Sequence, residues 1–186
     1  MSATVPVLPK EIALHGFTLR AIGPEHLVPY AAAIAASDAH LRPFTPWVVD
    51  GRIPGQSLHD RLVMHAARFD AGEEWVYGLF GPRGDVWGGC GIYTRVGPGA
   101  VELGYWLAAG QVGRGLATHA TAALTALSFR VLPVNQVQIR CDPRNAASAR
   151  VPARLGYELL PPDAAHGEGV QVWSLTRDRV EAGVGR

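Results

Sequence analysis

This chain has almost no lysine. Lys10 is the single lysine among 17 basic residues, which leaves 17 − 1 = 16 arginines. Cysteine is scarce too. Cys90 and Cys141 are too few for a disulfide framework and lack metal-ligand spacing; they read as small buried hydrophobes. No apolar run approaches the ~18 residues of a membrane span, and residues 1–10 lack the apolar core of a secretion signal. The expectation is a cytoplasmic protein with no membrane partner. The net charge of +1 excludes a chain built as a whole to hold nucleic acid. Among the seven histidines, His59 and His65 are not four apart, and no pair has a third partner at ligand spacing. No metal is expected.

What is present fits one domain over residues 1–186, with a core over roughly 16–176 and peripheral termini. The charge is unevenly placed. Residues 111–154 hold Arg114, Arg130, Arg140, Arg144, Arg150 and Arg154 against Asp142, which is 6 − 1 = +5, leaving −4 for the rest. That excess suits a polyanionic ligand, although a solvated helical surface would also produce part of it.

Periodicity orders the elements. Residues 17–22 alternate as a strand, and Pro24 suits the first turn of a helix whose face carries Leu27, Tyr30, Ala31 and Ile34. An irregular loop over 42–47 follows, then a helix over 56–71 with a Leu58, Leu62, Ala66 and Phe69 stripe. Strands over 75–80, 86–94 and 100–108, separated by glycine–proline turns, form an antiparallel meander. A helix over 114–131 carries Leu116, Ala120, Ala123, Leu124, Leu127 and Val131. A strand over 136–141 precedes a short helix that Asn145 caps and Gly156 closes. Strands over 157–160 and 170–175 come last, and residues beyond 179 are expected to fray. Pro152 falls inside the short helix, where a kink or early break is expected. The sheet is mixed, because the meander feeds a strand–loop–helix–strand unit.

The segment of densest chemical meaning is Val112-Gly113-Arg114-Gly115-Leu116-Ala117. Glycine lets the backbone approach an anion and take turns closed to other residues. The following helix adds unpaired first-turn N–H groups and a positive dipole end. A phosphorylated cofactor is the expected ligand. A dinucleotide fingerprint does not fit: Gly113-x-Gly115 is followed by Thr118 at the third glycine position, and the meander upstream argues against that fold. A P-loop fails for want of Gly-Lys-Ser/Thr.

Three segments stand in a specific order: Glu102-Leu103-Gly104-Tyr105-Trp106-Leu107, then Gly113-Arg114-Gly115-Leu116-Ala117-Thr118, then Asn145-Ala146-Ala147-Ser148 running to Leu155-Gly156-Tyr157. In this the chain resembles the GNAT superfamily of acyl-CoA-dependent N-acyltransferases, and within it the RimJ/RimL-type ribosomal-protein N-terminal acetyltransferases. The resemblance implies an α/β (α+β) fold with a mixed, mostly antiparallel sheet of six to seven strands and about four helices on both faces. It implies acetyl-CoA as co-substrate, no metal, and an amine acceptor: a protein N-terminus, or a small antibiotic or metabolite. A homodimer is common in this branch. A non-catalytic acyl-CoA sensor is the remaining reading.

Carried onto this sequence, the resemblance makes residues 112–117 the pyrophosphate loop, with Gly115 and Ala117 at two fixed positions. Val112 stands where Gln or Arg is usual; Gly113, Arg114, Leu116 and Thr118 complete the phosphate contacts. Asn145 and Ser148 would lie beside the pantetheine arm, which enters where the strand ending at Trp106 and Leu107 splays from the strand over 137–141. An amine attacking a thioester must lose a proton, and the oxyanion needs a donor, for which an N–H near Leu107 is the candidate. Glu102 is the candidate base and acceptor-site carboxylate, acting directly or through water, or else a solvated strand residue. Ser148 is the candidate for stabilising the thiolate, or else it serves its own helix. Tyr157 is the alternative acid, or else core. Phe44 and Trp47 are candidate acceptor walls, or else core.

Overall fold

A computed structural model describes residues 6–45, 57–162 and 169–183. The chain forms β1 (Glu11–Leu14), β2 (Phe17–Ala21), α1 (Leu27–Ala35), α2 (Asp38–Leu41), α3 (Leu58–Ala71), β3 (Glu74–Phe80), β4 (Val86–Tyr93) and β5 (Ala100–Leu107). Then come α4 (Leu116–Val131), β6 (Gln136–Cys141), α5 (Ala146–Arg154), β7 (Glu158–Leu159), β8 (Gln171–Thr176) and α6 (Arg177–Glu181). The strands follow the order β1-β2-β3-β4-β5-β6-β8-β7 in one eight-stranded sheet. The β5–β6 pair is parallel, whereas β1–β2, β2–β3, β6–β8 and β7–β8 are antiparallel.

This is the expected mixed fold, with eight strands instead of six or seven and six helices instead of four among the described residues. The added strand is β1. It pairs with β2 through a two-residue turn whose Gly16 takes φ 83°, in the left-handed region glycine tolerates. The added helices are α2 and α6. Residues beyond 179 do not simply fray: α6 runs to Glu181. Arg177 anchors its start by bonding the Val134 carbonyl at 2.8 Å and lying over the Phe129 ring.

Contacts divide the chain into two compact units: 1–91 with 105–116, and 92–104 with 117–186. In the first, α3 begins at Ser57, whose hydroxyl accepts from the Asp60 N–H at 3.0 Å, and ends at Gly72 with φ 71°. Its face buries Leu62, His65 and Phe69, and the Phe69 ring meets Tyr77 of β3 edge-on at 5.3 Å.

The helix α4 starts at Leu116, the last residue of the first unit, rather than at Arg114. Gly115 has φ 76°, outside the helical region, so the helix can begin only after it. The short helix α5 also differs from expectation. It continues through Pro152 to Arg154 without breaking. Pro152 sits in the last turn, so its missing N–H removes one bond near an end that needs closure anyway. Its carbonyl accepts from the Tyr157 N–H at 3.0 Å, and Gly156, at φ 78°, donates to Ala153. That is a Schellman closure anchored on the proline.

His65 carries the fold's clearest pH dependence. Burial first, then Arg61 and Arg68, pull its imidazole from 6.5 down to about 4, and its Nδ1 has no hydrogen-bond partner. The folded state therefore holds His65 neutral, and this contribution is complete above pH 6.5. It is lost as pH falls toward 4, because the unfolded chain takes up a proton that the fold refuses, a difference of about 3 kcal/mol. The His65→Leu variant should lose less thermal stability than the parent between pH 6.5 and 4, by roughly 10 °C in Tm. Parallel melting curves across that range decide it.

Candidate functional site

The first unit builds the entrance to the glycine loop. Gly88 and Gly89 of β4 let the end of β5 come close. A Cβ on Gly88 would stand 2.2 Å from the Trp106 carbonyl oxygen, and one on Gly89 would stand 2.5 Å from the Trp106 indole nitrogen. That indole donates to the Tyr30 hydroxyl at 3.1 Å, with the rings edge-on. The Ala108 N–H bonds the Trp87 carbonyl, and the Ala109 N–H bonds the Ser37 hydroxyl at 3.0 Å. So Trp106 and Leu107 are held by α1, the segment before α2, and β4.

The chain then makes a single 3-10 turn, Ala109–Gln111, and passes through extended Val112 to Gly113 (φ 77°), Arg114 and Gly115 (φ 76°). Val112 is 47% exposed, and nothing stands within 4 Å of a Cβ built on Gly113. The loop's outer side is therefore open to a ligand. Leu116, Ala117 and Thr118 form the first turn of α4, which contains no acidic residue. N–H groups there face no competing carboxylate of their own helix, a setting that favours an anion. Arg114 is folded back: it bonds the Gln111 side chain, and its guanidinium lies 4.5 Å from the centre of the Trp87 ring. The side chain of Arg114 is thus engaged within the protein, and the main chain of the loop is the part left on its outer side.

In the second unit, Glu102 is buried in β5 at 5% exposure. Arg95 grips it with two bonds, one from Nε to Oε2 at 3.0 Å, and Arg140 stands 3.7 Å from Oε2. A carboxylate has about four acceptor directions, so these contacts leave room for a further donor. The parallel ladder between β5 and β6 ends at the Leu103–Ile139 pair, whereas β5 runs on to Leu107 and β6 to Cys141.

At the end of β6, Asp142 accepts from the Arg144 guanidinium and the Arg144 N–H, which hold it at about 2. This fixes the turn into α5. Asn145 caps that helix, its Oδ1 accepting from the Ser148 N–H at 3.0 Å. The Ser148 side chain lies beside the Cys141 thiol. Burial pushes that thiol up, and Trp173 and Ser148 act the other way. Tyr157 is buried, and its hydroxyl is 2.6 Å from that of Thr125, which itself donates to the Thr121 carbonyl. The Tyr157 hydrogen therefore goes to Thr125.

Asn145 and Ser148 are thus brought together, as are Gly113, Arg114 and Gly115 with the start of α4. Phe44 is 39% exposed, and Trp47 lies outside the described residues. The arginines around Glu102 were not foreseen. The alternation of Gln136, Gln138 and Arg140 with apolar residues carried the signal, because it sets all three on one face of β6. Among the described residues, no group of three or more His, Cys, Asp or Glu could hold a metal, and no helix is long and apolar enough to cross a membrane.

A mixed eight-stranded sheet whose β5 leads through a glycine loop into α4 defines an α/β domain. Residues 17–158 match the family model for an acetyltransferase (GNAT) domain, and the chain belongs to that family of acetyl-CoA-dependent N-acetyltransferases. Solved structures agree on the fold. A ribosomal-protein-alanine acetyltransferase from Vibrio fischeri superposes with TM-score 0.74 at 18% identity, covering 90% of this chain and 97% of that one. RimL, a ribosomal-protein α-N-acetyltransferase solved with coenzyme A, gives 0.73 at 20%, covering 94% and 98%. An aminoglycoside acetyltransferase with coenzyme A gives 0.71 at 21%, covering 89% and 98%. A search of curated protein sequences gave no match.

The close approach at Gly88 has a measurable cost. Gly88→Ala drives a methyl group into backbone that cannot swing away, a loss of about 3 kcal/mol. Thermal melting should fall by roughly 10 °C; an unchanged Tm would mean that β5 does not pass so near.

Proposed function

We propose that this enzyme acetylates the α-amine of a polypeptide N-terminus by direct attack on acetyl-CoA in a ternary complex. The observation that carries the choice of acceptor is the charge around Glu102. One carboxylate faces two guanidiniums, Arg95 and Arg140. Such a surrounding repels a polycation like an aminoglycoside and disfavours the protonated form of any amine brought to it. A single α-amine, whose pKa is about 8, loses its proton there at modest cost. The ribosomal-protein acetyltransferases among the structural neighbours point the same way.

In this reading the N–H groups of Gly113, Gly115, Leu116, Ala117 and Thr118 hold the diphosphate, with Val112 and Arg114 flanking it. The β5 backbone at Trp106 and Leu107 aligns the pantetheine arm, and an N–H near Leu107 receives the oxyanion. Asn145 orders the start of α5 and offers its side-chain NH2 to the arm. Acetyl-CoA supplies an activated thioester, so the protein need only position the amine and manage protons. Glu102 accepts the amine proton, directly or through one water. Ser148 donates to the departing thiolate, with Tyr157 as the alternative acid. Phe44, 39% exposed, walls the acceptor side. The activity belongs to the chain as one acyltransferase domain, working in the cytoplasm.

Two variants test these assignments. Gly115→Val forces a side chain into φ 76°, which costs about 1–2 kcal/mol and displaces the loop amides. Calorimetry should show coenzyme A affinity reduced at least about tenfold; unchanged affinity would remove the loop from the site. Glu102→Gln keeps the shape and removes the base. With an N-terminal peptide as acceptor, kcat/KM should fall about 10²–10³-fold at pH 7. The deficit should shrink as pH passes the amine's own pKa of about 8. A loss equal at every pH would make Glu102 a positioning group.

A further inference from the structure

We infer that the indole of Trp87 is the platform on which the adenine of coenzyme A stacks, and that Arg114 covers this platform until a phosphate draws the arginine away. This rests on the glycine loop as the diphosphate site proposed above, and it adds the group that reads the far end of the same ligand. Trp87 on β4, the 3-10 turn Ala109–Gln111 and Arg114 all belong to the first unit.

The ring is held in place, and its cover is a mobile type of side chain. Trp87 Nε1 donates to Asp85 Oδ2 at 2.5 Å, which fixes the tilt of the indole. A Cβ on Gly81 would stand 2.4, 2.5 and 2.6 Å from Cε2, Cζ2 and Nε1, so backbone closes the ring there. Over the ring lies Arg114, its guanidinium carbon 4.5 Å from the ring centre. Trp87 is 8% exposed, whereas Arg114 is an exposed residue, so solvent meets the arginine before the indole. The arginine bonds the neutral side chain of Gln111, and no ion pair among the described residues includes it. A cation–π contact at an exposed site is weak. A phosphate offers the guanidinium a charge-assisted, two-pronged bond, which is stronger than a bond to a neutral amide.

The build of the ligand matches the order of these parts. In coenzyme A a single ribose joins the diphosphate to adenine. In the protein a single arginine side chain joins the loop to the ring, because Arg114 stands between Gly113 and Gly115 while its guanidinium lies on Trp87. A diphosphate on the loop amides therefore leaves the base within reach of the indole. When Arg114 turns to a phosphate it uncovers a flat aromatic face, and the flat base of the same molecule covers that face again. Every base has a π-face that stacks on an aromatic side chain. The consequence is a preference among acyl donors. Free coenzyme A carries the base, whereas a phosphopantetheine arm, alone or on a carrier protein, does not.

The experiment compares two ligands on the intact protein by calorimetry: coenzyme A, and phosphopantetheine, which keeps a phosphate and the arm but lacks the adenosine. Trp87→Leu should weaken coenzyme A about tenfold, the loss of one base stacked on one ring, and leave phosphopantetheine unchanged. Trp87→Phe keeps an aromatic face and should recover most of the coenzyme A affinity. In the parent protein, the ring protons of adenine should move upfield in the NMR spectrum when coenzyme A binds, as protons over an aromatic face do. That measurement decides the matter if Trp87→Leu fails to melt cooperatively. Equal weakening of both ligands, no weakening of either, or bound coenzyme A with unmoved adenine protons would overturn the platform while leaving the loop as the diphosphate site. A parent protein that binds neither ligand would overturn both.

Discussion

The close passage of β5 over β4 is the constraint on which the path into the glycine loop depends. The Trp106 carbonyl approaches Gly88 so nearly that no side chain fits between them, and this sets where Leu107 leaves the sheet. Everything after it follows in a short path. Ser37 takes the Ala109 N–H, a single 3-10 turn reverses the chain, and the two left-handed glycines aim their amides before α4 begins. The aromatic pair of Tyr30 and Trp106 fixes the same point from the side. The path from Trp106 to the start of α4 is thereby set by packing and by two left-handed glycines.

The cluster at Glu102 depends on side chains, and its charge is arranged differently. Glu102 is buried, yet it is more than neutralised by the guanidiniums of Arg95 and Arg140. A buried carboxylate without such partners would be costly. With them it stays in place and keeps some acceptor capacity. The near-total use of arginine over lysine suits this, since a planar guanidinium can grip both carboxylate oxygens at once.

Much of this was legible in the sequence because it rested on local rules. The glycine loop, the Asn145 cap and the Gly156 closure are each set by a few neighbouring residues, and they stand where those residues put them. The strand over 136–141 was bounded correctly by its alternation. What escaped depended on partners far along the chain. The four residues of β1 have meaning only as the edge partner of β2, and a His15–Gly16 turn is a weaker hairpin signal than Asn-Gly. Pro152 suggested a break because the rule against proline concerns helix interiors; its nearness to a Schellman closure changed the outcome. Arg95 and Glu102 are seven residues apart and meet only within the folded unit. Tyr157 likewise gave no sign in the sequence that its hydroxyl would meet Thr125 on α4, 32 residues earlier.

Arg114 resting on the Trp87 indole has an optical consequence. A cation over the ring face shapes the electrostatic surroundings of that chromophore, and the guanidinium is also a ready partner for a phosphate group. An arriving polyanion competes with the ring for it. Trp87 is one of five tryptophans, and in the proposed site its surroundings would change with this competition. In the proposed site, Trp87 on β4 is the indole placed to report on Arg114 with no label added to the chain.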